Sequence, residues 1–207
     1  MTVVFISLTF EFTLSPAHIL CHTGHLCKWM TCFLKTDSKF ENRFVTLRVM
    51  KTKYVQEKGG RARDYFLKGY NCCQSVVMAF ADVTGMDEGT LAAVAAGFGG
   101  GMGRMREVCG TVSGMTMLAG FISPVSDQSD IEARKKNYAL VQHFAGRFRE
   151  QTGSIICREL LGLEAGAQSG PAPAPRTGEY YRKRPCADMV ALAAEIVAEC
   201  LERGNNL

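Results

Sequence analysis

From about residue 50 onward, apolar residues recur at helical spacing, with Lys, Glu and Arg on the faces between them. Lys51 to Lys68 reads as a polar helix stopped by Gly69, weakened at Gly59 and Gly60 by about 1 kcal/mol each relative to alanine. Asn71 is placed to cap a second helix running to about Thr84, with Cys73, Val76, Val77 and Phe80 on one face and Gly85 as its stop. Asp87 caps a third through Leu91, Ala92, Val94 and Ala95. A fourth is predicted from near Arg106 to about Phe121. Gly110 and Gly114 share a face of it and would let a neighbouring helix come close. Asp130 caps a fifth to about Thr152, with Tyr138, Val141, Ala145 and Phe148 as its stripe. Ser154 caps a short sixth from Ile155 to Leu161. After Pro185 a last helix carries Met189, Ala193, Ile196, Val197 and Cys200 on one face. No alternating strand is evident. The predicted fold class is all-α, a compact bundle of about six to seven helices in residues 50–207.

Two connections stand out. Residues 97–103 hold five glycines in seven positions, a segment able to adopt positive φ or to bring backbone against a neighbour. A phosphate-loop reading fails, because no Gly-Lys-Ser/Thr follows and no strand precedes. Residues 163–179 are rich in Gly, Ala and Pro and read as a loop, followed by Arg182-Lys183-Arg184, which reads as a solvated patch.

Residues 1–49 break the pattern. They hold three of the four histidines (His18, His22, His25), three cysteines (Cys21, Cys27, Cys32), the single Trp29, and one of 21 glycines. The apolar run Val3 to Phe10 lacks the preceding positive charge and the cleavage site of a secretory signal, and it is far short of the ~20 residues of a membrane span. Cys21-His22-x2-His25-x-Cys27-x4-Cys32 has zinc-type ligands at a spacing that matches no common finger. The change at Met50 favours a third reading: residues 1–49 are a non-domain extension upstream of the start of the folded protein.

Composition narrows the chemistry. The 207 residues are 47% apolar and 21% charged, with net charge +4 from 24 basic and 20 acidic side chains. That balance is too mixed for a nucleic-acid binder. Nine cysteines are an odd number and a high share, so thiol chemistry is the signal, and not all can pair within one chain. Six follow Met50. Cys200 lies on the last helix's apolar stripe and reads as a core residue. Cys72, Cys109, Cys157 and Cys186 instead sit near predicted helix starts, where the positive end of the helix dipole lowers a thiol pKa. Arg104, Arg106, Arg158, Arg182 and Arg184 would act in the same sense. No CxxC occurs, so any pair or metal site draws on distant parts of the chain. His143, the single histidine after Met50, reads as a surface or half-buried residue.

The ordered segments Asn71-Cys72-Cys73-Gln74-Ser75-Val76, Gly97-Phe98-Gly99-Gly100-Gly101-Met102, Val108-Cys109-Gly110-Thr111-Val112-Ser113-Gly114, Gly153 to Gly162 around Cys157, and Pro185-Cys186 resemble the C_GCAxxG_C_C family. That family consists of small proteins of bacteria and archaea described as redox-active. The resemblance covers about residues 53–200 and implies that Cys72, Cys109, Cys157 and Cys186 are the family's four cysteines. Two departures stand out. Cys73 adds a vicinal thiol, so a Cys72-Cys73 pair is a further alternative. The run Cys109-Gly110 to Gly114 is not a literal GCAxxG.

Three functions follow as expectations. The first is thiol–disulfide exchange or electron transfer, with Cys72 or Cys109 attacking and Cys157 or Cys186 resolving. The second is a four-thiolate site for zinc or an iron–sulfur cluster on the same four residues. The third is a helical interaction module with core cysteines, where the Gly110/Gly114 face and Met102, Met105, Met115 and Met117 support packing or self-association into a homo-oligomer. An unidentified redox partner, no nucleic acid, no membrane and a reducing cytoplasm complete the expectations.

Overall fold

The computed structural model describes residues 38–164 and 170–204, with side chains from residue 53. The chain divides into two units, Met1–Glu41 and Asn42–Leu207, and the second carries everything below. The zinc-type cluster of Cys21 to Cys32 and the apolar run at Val3 lie outside the described residues.

Nine α-helices are present among the described residues: α1 Ser38–Leu67, α2 Cys72–Met78, α3 Ala81–Thr84, α4 Glu88–Ala95, α5 Gly110–Ile122, α6 Ile131–Thr152, α7 Cys157–Leu160, α8 Gly178–Arg182 and α9 Cys186–Glu202. The fold is all-α, and no β-strand forms among these residues. Three of the four caps read from the sequence hold; Ser154 does not cap the sixth helix, because its hydroxyl accepts from Ile156 N and the helix starts only at Cys157, with Ile156 as its N-cap. Asn71 accepts from the Gln74 backbone and closes a reciprocal capping box with the Gln74 side chain. Asp87 accepts from Thr90 N and Asp130 from Ala133 N. Among the described residues no helix is long and apolar enough to cross a membrane.

Several elements depart from expectation. α1 begins at Ser38 rather than Lys51, through a stretch that has neither Gly nor Pro. The helix expected from Asn71 to Thr84 breaks at Ala79-Phe80. There the ammonium of Lys58, buried itself, donates to Ala79 O at 2.9 Å, pairs with Asp82 and lies 4.8 Å from the Phe80 ring centre. α5 starts at Gly110, four residues after Arg106, because Arg106 takes a positive φ and Glu107 to Cys109 then run alongside residues 155–157. α6 buries Leu140, Phe144 and Phe148 and leaves Tyr138 59% exposed. Of the expected stripe, Phe148 is buried and Val141 and Ala145 pack against the core; Tyr138 alone falls outside, and Leu140 and Phe144 complete the buried face. α8 was not expected. It is capped by Thr177, and its Tyr181 hydroxyl donates to Leu67 O at 3.3 Å while the ring stands edge-on to Phe66.

The core lies where α5 packs on α2, α6 and α9. Phe66, Phe80, Phe144, Phe148, Met115 and Leu118 are fully buried there. The expected close approach at Gly110 and Gly114 is made to α2. A Cβ on Gly114 would stand 2.9 Å from Val76 Cβ, and one on Gly110 would stand 2.9 Å from Phe98 O and 3.2 Å from Cys72 Cβ. Met115 fills the core and Met117 packs against it, whereas Met102 and Met105 are exposed.

Two stability outcomes follow. Gly114→Ala overpacks the α2–α5 contact and costs about 1–3 kcal/mol in urea unfolding. Gly120→Ala, on the same helix with nothing within 4 Å of its Cβ, stabilises by roughly 0.5–1 kcal/mol. Equal effects at the two positions would contradict the packing described. Lys58→Met leaves the Ala79 carbonyl without its donor and costs about 1–3 kcal/mol by the same measurement.

Candidate functional site

Four helix starts bring the four cysteines to one place. Cys72, Cys157 and Cys186 are the first residues of α2, α7 and α9, and Cys109 is the N-cap of α5. All four line one cavity of about 50 Å³, together with Arg106, Arg176, Tyr180 and Arg184. Its position follows from three local constraints. The Gly110 contact sets α5 against Cys72. A single antiparallel bridge, Val108 to Ile156, ties Cys109 to Cys157: Cys109 N donates to Ile155 O at 2.8 Å and Cys157 N to Glu107 O at 2.7 Å. The glycine-rich segment then folds over Cys157 in a left-handed path. Gly100, Gly101, Met102, Gly103, Arg104 and Arg106 all have positive φ. A Cβ on Gly101 would lie 2.6 Å from Cys157 Cβ. Each non-glycine residue held in this region costs on the order of 1 kcal/mol, and Met102, Arg104 and Arg106 all bear that cost beside the thiols.

The four thiols are not equivalent. The Cys72 thiol donates a hydrogen bond to the Cys186 sulfur, which pulls Cys186 down to about 7 against its burial. The charges of Arg184, Arg176 and Arg106 act in the same sense. Cys72, holding the shared proton and buried, is pushed well above the ordinary 9.0. Burial pushes Cys109 up to about 11, although its sulfur lies 3.1 Å from Thr111 Oγ1. Burial also raises Cys157, in part offset by a hydrogen bond from Arg106. Of the four, Cys186 is the one pulled down toward neutral pH, and Cys72, Cys109 and Cys157 are pushed up.

Cys73 does not belong to this set. It is 0% exposed, packs with its sulfur 3.6 Å from Met117 Sδ, and is pushed up to about 12 by burial. All six cysteines among the described residues are free, so the vicinal Cys72-Cys73 pair is not formed. Cys200 is buried in the core, as its stripe implied, and His143 is half-buried on α6.

By residue type the four thiols suit zinc or an iron–sulfur cluster. Yet among the described residues no group of three or more His, Cys, Asp or Glu side chains is arranged to hold a metal ion. The sulfurs are engaged instead in hydrogen bonds: Cys72 with Cys186, Cys109 with Thr111, and Cys157 with Arg106.

Of the five arginines noted in the sequence, Arg106 and Arg184 line the cavity. Arg158 turns away to pair with Glu107 at 2.5 Å, and Arg182 is exposed. Arg176 and Tyr180, from the segment read as a plain loop and the helix after it, were missed. The sequence signal for them was Thr177, a helix cap directly after the Pro-rich run, which places an arginine and a tyrosine on either side of a new helix start. Arg176 Nη2 donates to Tyr70 O at 3.3 Å, and its guanidinium lies 4.7 Å from the Phe66 ring centre and 4.9 Å from that of Tyr180. The run at Arg182 to Arg184 is thus split: Arg184 faces the thiols, with its guanidinium 4.7 Å from the Tyr180 ring centre.

Comparison with the curated proteins and with the solved structures returns no match. The pattern of the C_GCAxxG_C_C family, described as "putative redox-active protein", matches residues 70–200, the span that contains all four cavity cysteines and every arginine around them. On that match over more than half its length, the chain belongs to the C_GCAxxG_C_C family of redox-active proteins.

Proposed function

We propose that the protein carries out thiol–disulfide exchange, with Cys186 as the attacking thiolate and Cys72 as the resolving thiol. The observation that carries this reading is the meeting of Cys72 and Cys186, at the starts of α2 and α9, in one cavity lined by Arg106, Arg176 and Arg184, where Cys186 is pulled down and Cys72 pushed up. It reverses the roles expected from the sequence, where Cys72 was an attacker and Cys186 a resolver. The proton distribution favours the reversal. The thiolate is the nucleophile, and the α9 dipole and three guanidiniums stabilise it at Cys186.

In the first step the Cys186 thiolate attacks one sulfur of a substrate disulfide. A Cys186–substrate bond forms and the substrate S–S bond breaks, releasing one substrate thiolate, which takes the Cys72 proton. The Cys72 thiolate then attacks the Cys186 sulfur. The Cys72–Cys186 disulfide forms and the second substrate thiolate leaves. Two electrons pass from the protein pair to the substrate. A dithiol donor restores the reduced pair by the reverse exchange. Cys109 and Cys157, pushed up by burial, stay protonated and wall the cavity.

Reduced protein treated with 2-hydroxyethyl disulfide should lose about two hydrogens in mass, with peptide mapping placing the bond between Cys72 and Cys186. Cys186→Ser should abolish the reaction and Cys72→Ser should arrest it at the mixed disulfide. A bond between other cysteines, or six thiols unchanged, overturns the assignment. So does a protein purified anaerobically with stoichiometric zinc or iron on the four thiols. The pH dependence gives a separate check. Because Cys186 is depressed, its thiolate is present above about pH 7 and lost below it. The rate of Cys186 alkylation by iodoacetamide should therefore rise through an inflection near that pH. In Cys72→Ala, without the donated hydrogen bond, the inflection should move to higher pH.

A further inference from the structure

A second cavity, of about 280 Å³, adjoins that of the thiols. The two share Asn71, Gly100, Arg106, Arg176, Tyr180 and Arg184 as lining residues. Arg104, from the left-handed segment, and Pro171, Pro173 and Ala174 complete the wall of the larger one. Four arginines therefore line this space, and among the described residues no carboxylate does.

Elsewhere the protein balances such charges. Arg61 pairs with Glu88, Arg147 with Glu199 and Arg158 with Glu107. Among the described residues, Arg104, Arg176 and Arg184 make no ion pair with a carboxylate. They are held by other means, which fix them in place without neutralising them. Arg104 Nε donates to Gly170 O at 2.9 Å, and Arg176 and Arg184 lie against Tyr180. Arg176 Nη1 is buried with no acceptor among the described residues. A buried guanidinium N–H without an acceptor is costly, and a planar donor fork matches an oxyanion. Burial and the like charges of Arg106 and Arg184 also pull Arg104 down, as expected where cations crowd without an anion.

Resting on the exchange chemistry above, we infer that this cleft seats the carboxylate of a small anionic disulfide, which makes carboxylate-bearing low-molecular-weight disulfides the substrate class of Cys186. The cleft is near the lower end of ordinary small-molecule pockets, ~300–1,000 Å³. Because Arg106, Arg176 and Arg184 line both spaces, an anion held there lies beside the attacking sulfur.

The test compares reduced full-length protein with three model disulfides: 3,3′-dithiodipropionate (anionic), 2-hydroxyethyl disulfide (neutral) and cystamine (cationic). Each rate is divided by that of N-acetylcysteine with the same disulfide. The normalised rate should be roughly tenfold higher for the anion than for the neutral compound, and lowest for the cation. Arg104→Gln and Arg176→Gln should each lower the anion-to-neutral ratio, and Arg176→Lys should restore part of it in a chain whose helical circular dichroism is unchanged. A second arm needs no disulfide: the ratio of Cys186 alkylation by iodoacetate to that by iodoacetamide should likewise fall in Arg104→Gln. Exchange with a flat charge series overturns the cleft and leaves the thiol reading standing. No exchange with any disulfide, but a retained iodoacetate preference that depends on Arg104, overturns the thiol reading and supports the anion seat. A preference shown only by an acidic protein disulfide, and not by 3,3′-dithiodipropionate, overturns the small-molecule class.

Discussion

The contact between α2 and α5 is the constraint on which the site depends. With hydrogen in place of a side chain at Gly110 and Gly114, α5 reaches van der Waals distance of Val76, Phe98 O and Cys72. A methyl group at either position would meet atoms closer than any real Cβ contact, most of them backbone or core atoms with nowhere to go. That approach fixes Cys109, the N-cap of α5, next to Cys72, the first residue of α2. The extended residues before Cys109 then pair with residues 155–158 and carry Cys157 into the same space. α9, packed on both α2 and α5, adds Cys186 at its own start.

Electrostatics turns this convergence into a chemical difference. Four buried thiols in one apolar pocket would all be pushed up and stay protonated. Here Cys72, Cys109 and Cys157 are pushed up, and Cys186 is not. The hydrogen bond from Cys72 and the guanidiniums of Arg184, Arg176 and Arg106 outweigh its desolvation. An isolated buried charge costs several kcal/mol, so a thiolate in this cavity requires that compensation. The same three arginines also line the adjoining cleft. Aromatic stacking on Tyr180 and Phe66 holds two of them in place without cancelling their charge.

Local signals in the chain translated well where a side chain acts on its own backbone. Asn71, Asp87 and Asp130 cap the helices they were read to cap, and the four cysteines lie at helix starts. Periodicity failed where a distant group intervened. The helix after Asn71 carries an unbroken apolar face, yet it ends at Met78 because Lys58 takes the Ala79 carbonyl from another helix. On α6 the expected stripe kept Val141, Ala145 and Phe148 at the core, and only packing against α5 and α9 decided that Leu140 and Phe144 complete it and Tyr138 does not. The Pro-rich segment looked like a connection because neither Arg176 nor Tyr180 has an apolar periodicity. Their role comes from facing thiols about a hundred residues earlier in the chain as well as the nearby Cys186.

By itself, then, the sequence determined the helical class, most of the caps, and which four cysteines share a special backbone position, because each of these rests on interactions within a few residues. Only the tertiary structure decided which thiol is pulled down and which are pushed up. That choice depends on Cys72, Arg176 and Arg184 meeting Cys186 across the cavity, and a charge's energy is set by what surrounds it in space rather than by its neighbours along the chain.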